Sequence, residues 1–285
     1  MKHETLYEPF EVAFSKLDEG PSAGHRHLFF ELVYIMSGTG KQCINKSTFN
    51  YRPGHMFLIT PQDCHSFDVG ATTEFFFLRF NDNYIRSKSF HTDDLRRLEY
   101  ILQNANHQPG CILKNLSDKP LVRSLAEAVI AEFVNRDLYN RELVEKLVNT
   151  LIVIVARNIA KYLPAAVHED TDGRALDMLH YVQANLCQPE KLKAEHLSKQ
   201  FGVSESYLGR YFKNKTQETL QQYISNLRLR HIESRLRFSD LRVHEIAAEL
   251  GFADESHLNK FLRKATGKSA LQFRKEMQRV AQPVA

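Results

Sequence analysis

Cysteine is scarce in this chain: Cys43, Cys64, Cys111 and Cys187 are scattered through 285 residues with no paired spacing. That excludes a disulfide-stapled framework and the usual zinc ribbons, and it suggests a reducing cytoplasm. Long apolar runs are also missing. The longest, Leu147 to Ala156, is interrupted by Asn149 and Thr150, well short of the roughly 20 residues a membrane-spanning helix needs, so no membrane partner is expected. The start, Met1-Lys2-His3-Glu4, has no apolar segment behind it of the kind a secretion signal carries. Composition is not extreme either, with 43% hydrophobic and 25% charged residues, the values of an ordinary globular protein. The length predicts two domains rather than one core.

Charge is shared unevenly between them. From Arg174 to the end, 19 Lys and Arg stand against 12 Asp and Glu; the first 173 residues carry 19 against 22. A basic half beside a mildly acidic one is the footprint of a nucleic-acid-binding segment, or more plainly of a solvated basic face. Residues from about Phe10 to Phe80 read as short strands. Phe29 to Met36 is apolar and β-branched and stops at Ser37-Gly38-Thr39-Gly40; His55 to Ile59 follows a Pro53-Gly54 turn; Thr73 to Phe80 is a third run. Such a pattern predicts a small barrel or double-sheet roll. Helical periodicity then covers Lys119 to Asn135 and Arg141 to Tyr162. The second of these helices is apolar on more than one face, which predicts either a lid on the barrel or, through Leu147 and Leu151, a homodimer contact. Pro164 to Gly173 carries Pro, Gly and three acids without periodicity and reads as a linker. The expected domains are therefore 1–163 and 174–285, in an α+β chain whose second domain is all helix.

The second half contains an internal repeat. Ser204-Glu205-Ser206-Tyr207-Leu208-Gly209-Arg210-Tyr211-Phe212-Lys213 recurs 50 residues later as Asp254-Glu255-Ser256-His257-Leu258-Asn259-Lys260-Phe261-Leu262-Arg263. Gly202 and Gly251 supply the tight turn before each copy, and Ser204 and Asp254 are good N-caps. Leu208 and Phe212 in one copy, and Leu258 and Leu262 in the other, form a buried side. The opposite side is left for the major groove, so each copy reads as a helix-turn-helix and double-stranded DNA is the implied partner.

These residues, with Tyr223 to Arg230, Glu245 to Phe252 and Arg263 to Ser269, resemble the DNA-binding domain of the AraC/XylS family of bacterial transcription regulators. The match covers about Arg174 to Arg279. It departs from the family pattern at Gln217 (usually Gly), Ala270 (usually Pro), His231 (usually Ala) and Lys260 (often Arg). The resemblance implies base contacts from Ser206, Gly209 and Arg210, and from Glu255, Ser256, Asn259 and Lys260. It also implies RNA polymerase as a partner. The chemistry agrees: Arg210 can pair bidentately with guanine, Asn259 with adenine, and Glu255 can accept from cytosine. Arg210 and Lys260 can equally serve phosphates, and Tyr207 and His257 suit phosphates best.

In the first half, Gly24-His25-Arg26-His27 with Glu31 and Gly38 looks like the first cupin motif, and Pro53-Gly54 with Pro61 to His65 like the second. That resemblance implies a divalent transition metal held by His25, His27, Glu31 and His65. Residues two apart on a strand do share a face. The alternatives are a pocket in which these groups bind hydroxyls of a small-molecule effector, for which the family resemblance points to sugars, or plain surface histidines. Tyr34, Phe57 and Arg79 join the pocket candidates, although one sequence leaves strand register open. Three readings follow: a ligand-responsive transcription factor, a metal-dependent cupin isomerase or dioxygenase fused to a DNA-binding module, and a DNA-binding protein whose barrel only dimerises it. The tandem repeat favours the first, since an enzyme does not need it and no second acid/base cluster accompanies the four candidate ligands.

Overall fold

Alternating apolar residues between Phe10 and Phe80 build most of the seven strands among the described residues. They are β1 (His3–Glu4), β2 (Phe10–Leu17), β3 (Arg26–His27), β4 (Phe30–Ile44), β5 (Ser47–Tyr51), β6 (Met56–Ile59) and β7 (His65–Phe80). The computed structural model describes residues 3–4, 6, 8–18, 24–61, 63–86, 98–102, 110–161 and 172–281. It divides into two compact units, 1–163 and 164–285. The segment read as a linker lies outside the described residues except for Asp172 and Gly173, and Gly173 already opens a helix.

In the first unit β4 and β7 pair antiparallel along nearly their whole length. β2 flanks β7, while β6 lies beside the first half of β4 and β5 beside its second half. The sequence reading ended β4 at Ser37-Gly38-Thr39-Gly40, but the strand continues to Ile44. Those residues instead hold three register shifts, the signature of a bulge, and a bulge bends a strand rather than terminating it. Gly38 sits there at φ +88°, where an added Cβ would lie 2.4 Å from the Thr72 carbonyl oxygen. The bend is large. Glu31 and Ile44, the residue paired with His65, are 13 positions apart and would lie about 43 Å apart on a straight strand. Yet the Glu31 carboxylate reaches within 3.2 Å of the His65 ring. The sheet is therefore rolled onto itself, and a His25–His65 bridge ties β3 to the start of β7.

One face of the rolled sheet holds Tyr51, Phe67, Phe75 and Phe77 in mutual ring contact. After α1 (Asp82–Arg86), a helical turn at 98–102 and a loop, the unit closes with an antiparallel pair, α2 (Asp118–Asn135) and α3 (Asn140–Ala160). Buried Asn158 anchors α3. Its amide donates to Asp118 Oδ2 (2.7 Å) and the Ile154 carbonyl, and its Oδ1 accepts from the Asn115 N–H (2.9 Å).

The second unit is entirely helical: α4 (Gly173–Ala184), a 3-10 turn (Pro189–Leu192), α5 (Ala194–Phe201), α6 (Glu205–Thr216), α7 (Leu220–Phe238), α8 (Val243–Glu249), α9 (Glu255–Thr266) and α10 (Ala270–Ala281). The capping signals act as their chemistry demands. Ser204 accepts from the Tyr207 N–H, Asp254 from the His257 N–H, and Thr219 forms a capping box with Gln222. Gly202 and Gly251 take positive φ at the turns. Ile232, Leu236, Ile246, Leu250, Leu258 and Leu262 form the core of the second repeat.

The departure at Gln217 has a structural cost. It occupies the left-handed C-cap of α6 at φ 61°, the place that Gly267 fills at φ 77° after α9. A side chain in that region costs roughly 1–2 kcal/mol, against the ~0.5–1 kcal/mol of unfolded-state entropy that glycine forfeits. Gln217→Gly is expected to stabilise the helical unit by about 0.5–1 kcal/mol, read as a higher denaturant midpoint at unchanged slope. A lower midpoint would mean that the Gln217 amide bond to the Asn214 carbonyl outweighs the strain.

Candidate DNA-reading face and effector site

Helices α6 and α9 each bury one side and expose the other. Leu208 and Phe212 are buried in α6, Leu258 and Leu262 in α9. Ser206, Tyr207, Gly209 and Arg210 are exposed on the first, and Glu255, Ser256, His257 and Lys260 on the second. These eight residues therefore lie on the solvent side of the two helices. Arg210 is braced by its Nε donating to the Ser206 carbonyl at 3.3 Å, which leaves the terminal nitrogens of the guanidinium outward.

Asn259 differs from the others. Its Oδ1 accepts the Ala270 N–H at 2.9 Å and its amide nitrogen donates to the Glu255 carbonyl at 3.2 Å. The physical reason is the residue that follows the turn. A proline at position 270 would have no N–H, whereas alanine has one that must be satisfied at the start of α10. Asn259 therefore caps α10 with the oxygen it would offer to adenine. Beside it, a groove of about 440 Å³ is lined by Ser256, Asn259, Lys260, Arg263, Ser269 and Leu271. Arg263 belongs to this face and was missed because it was read only as part of the repeat. Arg228 on α7 is half-buried and lies over the Phe252 ring at 5.7 Å.

In the first unit His27, Glu31 and His65 converge. All three are buried, and their ligand atoms lie within 4.8 Å of one another. His27 Nδ1–H donates to the Phe29 carbonyl at 2.7 Å, which fixes the tautomer and leaves the lone pair of Nε2 facing Glu31 Oε2 at 3.8 Å. Glu31 Oε1 takes the Arg79 Nε–H at 2.8 Å, and Arg79 also reaches Glu11 at 3.2 Å. Burial opposes the charge on Glu31, but His65 and Arg79 overcome it and hold the carboxyl down at about 2. Burial likewise pushes the His27 pKa below the usual histidine value, helped by His65 and His25 and opposed by Glu31. His27 is thus neutral at pH 7 and Glu31 ionised.

His65 Nε2 also lies 3.2 Å from Glu31 Oε2, while His27 Nε2 and His65 Nδ1 have no hydrogen-bond partner. Buried acceptors left in this way cost ~1–3 kcal/mol each. A donor-rich ligand or a cation relieves that cost, and the N, N, O set suits a divalent transition ion.

His25, expected as a fourth metal ligand, stays outside this convergent group. Its half-buried ring packs at 4.2 Å on His65 and 6.3 Å from His27. Phe57 shares the sheet face of Glu31 through its pairing with Val33. Tyr34 does not, which corrects its place among the pocket candidates. It is three residues from Glu31 on an unbroken stretch of strand, so alternation turns it to the opposite face. There burial raises its pKa, and the charges it feels are those of Arg123, Glu127 and Cys111. Gln42, fully buried with both amide atoms unpartnered, faces Phe67 across the sheet. It lies beyond Ser37-Gly38-Thr39-Gly40, where the sequence predicts the strand to end.

A sensing domain of rolled β-sheet and a tandem helix-turn-helix define a two-domain transcription regulator. Residues 19–148 match the AraC-like ligand binding domain and residues 197–276 a helix-turn-helix domain. The chain belongs to the AraC family of DNA-binding transcription regulators. It is 26% identical over 269 residues to the HTH-type transcriptional activator RhaR of Cronobacter sakazakii, covering 92% of this chain and 90% of that protein. It is 24% identical to the activator RhaS of Mannheimia succiniciproducens, covering 82% of each. Among solved structures it is similar to unsaturated-fatty-acid-bound ToxT of Vibrio cholerae at 13% identity and a TM-score of 0.36, covering 96% of this chain and 98% of that one. Among the described residues no helix is long and apolar enough to cross a membrane.

Arg210→Ala is expected to lower affinity for a selected duplex by about 1–3 kcal/mol and to relax base choice at one position, whereas Asn259→Ala should act mainly by lowering the melting temperature. Binding-site selection followed by melting of both variants checks this. An Asn259→Ala protein of unchanged stability but altered base choice would return Asn259 to the base-reading set.

Proposed function

We propose that this protein is a cytoplasmic, non-enzymatic transcription activator whose rolled sheet binds a polyhydroxylated small molecule, of the sugar class, at His27, Glu31, His65 and Gln42, with Arg79, Phe57 and the ring cluster as walls and His25 at its edge. The observation that carries it is the buried cluster in which His27 Nε2 and His65 Nδ1 have no hydrogen-bond partner beside the Glu31 carboxylate. Hydroxyls are donors of the right size for them, and aromatic faces such as Phe67 and Phe77 suit the apolar face of a sugar ring. The curated relatives are called activators, which supports activation and RNA polymerase as a partner.

A second reading has its own support. The same three side chains would hold a divalent transition ion, which when bound would supply a Lewis-acid contact to the effector's hydroxyls. In the full chain, a monosaccharide panel should yield at least one melting shift, and His27→Ala with His65→Ala should abolish both that shift and the reporter response. Stoichiometric metal in the purified protein, with the sugar shift lost on chelation, would select the metal reading. A double variant that still responds fully would place the effector elsewhere.

Dimerisation is proposed through α3, with half-buried Leu147 at the edge of the contact and Leu151 left out of it. Leu151 is fully buried within its own unit and cannot contact a second copy. The outward stripe is Leu143, Lys146, Thr150, Val153 and Arg157, with Leu143 and Val153 45% and 46% exposed and spaced as a packing seam. Leu143→Asp with Val153→Asp should give folded monomers in sedimentation, while Leu151→Asp should unfold the first unit. A dimer that survives the double change would move the interface to a sheet edge.

A further inference from the structure

The two recognition helices are near-copies in sequence, but they are not held alike. Asp172, immediately before α4, is bound from three sides. Its Oδ1 caps α4 by accepting the Ala175 N–H at 3.0 Å and accepts the Tyr211 hydroxyl at 2.5 Å, while Oδ2 pairs with Lys215 Nζ at 3.0 Å. Tyr211 and Lys215 both lie on α6. The Tyr211 ring also carries the Arg174 guanidinium at 5.8 Å, and Arg174 donates to the Phe201 carbonyl at the end of α5. On its other side Tyr211 stacks with Tyr207, centroids 5.6 Å apart and planes 18° apart, and Tyr207 is exposed on the DNA-reading face. A continuous set of contacts therefore runs from Asp172 through Tyr211 to a side chain on that face.

The second copy has no equivalent. Fifty residues on, Tyr211 becomes Phe261 and Lys215 becomes Ala265. Phe261 has no hydroxyl and packs against the Phe252 ring at 5.4 Å instead; Ala265 carries no charge. The repeat thus loses the hydrogen-bonding and charged groups at the two positions that touch Asp172. Helix capping explains only the Ala175 contact, since any Asn, Asp or Ser would cap α4 alone. It does not explain why α6 supplies a hydroxyl and an ammonium to the same carboxylate. Burial opposes ionisation of Asp172, yet the Tyr211 hydroxyl, the Ala175 N–H and Lys215 together hold its pKa below the usual value, so the pairing is charge-assisted at neutral pH.

We infer that Asp172 is a positioning residue for the first recognition helix only: through Tyr211 and Lys215 it sets where α6 and Tyr207 meet DNA, and it leaves α9 untouched. The point where the chain enters the DNA-binding unit is thereby tied to one of two DNA contacts.

The test uses the full chain and a duplex selected by it from a random library. Hydroxyl-radical footprinting should show two protected segments, and the one weakened by Arg210→Ala belongs to α6. Asp172→Asn keeps the cap of α4 and removes the charge; Tyr211→Phe removes only the hydroxyl. Each is expected to weaken protection of the α6 segment about five- to tenfold, to leave the other segment within twofold, and to hold the melting temperature. The two changes together should cost less than the sum of the two, because the hydroxyl and the ammonium act on the same carboxylate. Equal loss over both segments, a loss tracked by melting temperature, or fully additive effects would each overturn the inference. Should Asp172→Asn fold poorly, Tyr211→Phe and Lys215→Met carry the same test, and unchanged footprints in both would refute it.

Discussion

The bend in the β4–β7 pair is the constraint on which the first unit depends. A straight pair would hold Glu31 and His65 tens of ångströms apart and no site would exist. Bending two hydrogen-bonded strands together needs extra residues and a backbone that tolerates crowding, and the register shifts between Ile35 and Gly40 provide the first. Gly38 and Gly40 provide the second, since a Cβ at either would lie within 2.4 Å of a neighbouring carbonyl oxygen. The roll also decides what is buried. It turns Phe67, Phe75 and Phe77 toward one another and takes Gln42, His27 and Glu31 out of water with them.

Burying Glu31 as a charge is expensive, and the surroundings show how it is tolerated. Arg79 satisfies one carboxylate oxygen and is itself held by Glu11. The other oxygen is left to face two imidazoles. Removing Arg79 would leave an uncompensated buried charge, the costliest way to break such a pair. The half-satisfied state of the cluster, with Arg79 on one oxygen and unpartnered imidazole nitrogens of His27 and His65 beside the other, is what separates a binding site from a structural ion pair.

In the helical unit the same economy of contacts distinguishes two similar readers. α9 is held by its own core, with Phe261 against Phe252 and Asn259 capping the next helix. α6 is held by its core and by Asp172. At α9 the Asn259 side chain is engaged within the protein, whereas at α6 the added contacts come from the residue that precedes α4.

Much of this was legible in the sequence because it depends on local chemistry. The repeat, its N-caps at Ser204 and Asp254, its glycine turns and the buried side of each recognition helix follow from spacing of a few residues, and hydrogen bonds of that reach do not need the rest of the protein. The grouping of His27, Glu31 and His65 was legible only through resemblance to a family. Tertiary structure alone decided the remainder. Whether Tyr34 or Phe57 faces the cluster depends on parity along a strand, and parity is set by pairing partners distant in sequence. Whether Leu151 faces solvent depends on which side of a helix apolar on more than one face meets the rest of its unit. Gln42 joins the interior only because β4 bends instead of ending at its glycines. Asn259 meets the Ala270 N–H because position 270 carries one, and Asp172 meets Tyr211 across 39 residues of chain. In each case the deciding contact is non-local, and its energy is invisible until the chain has closed the loop that makes it.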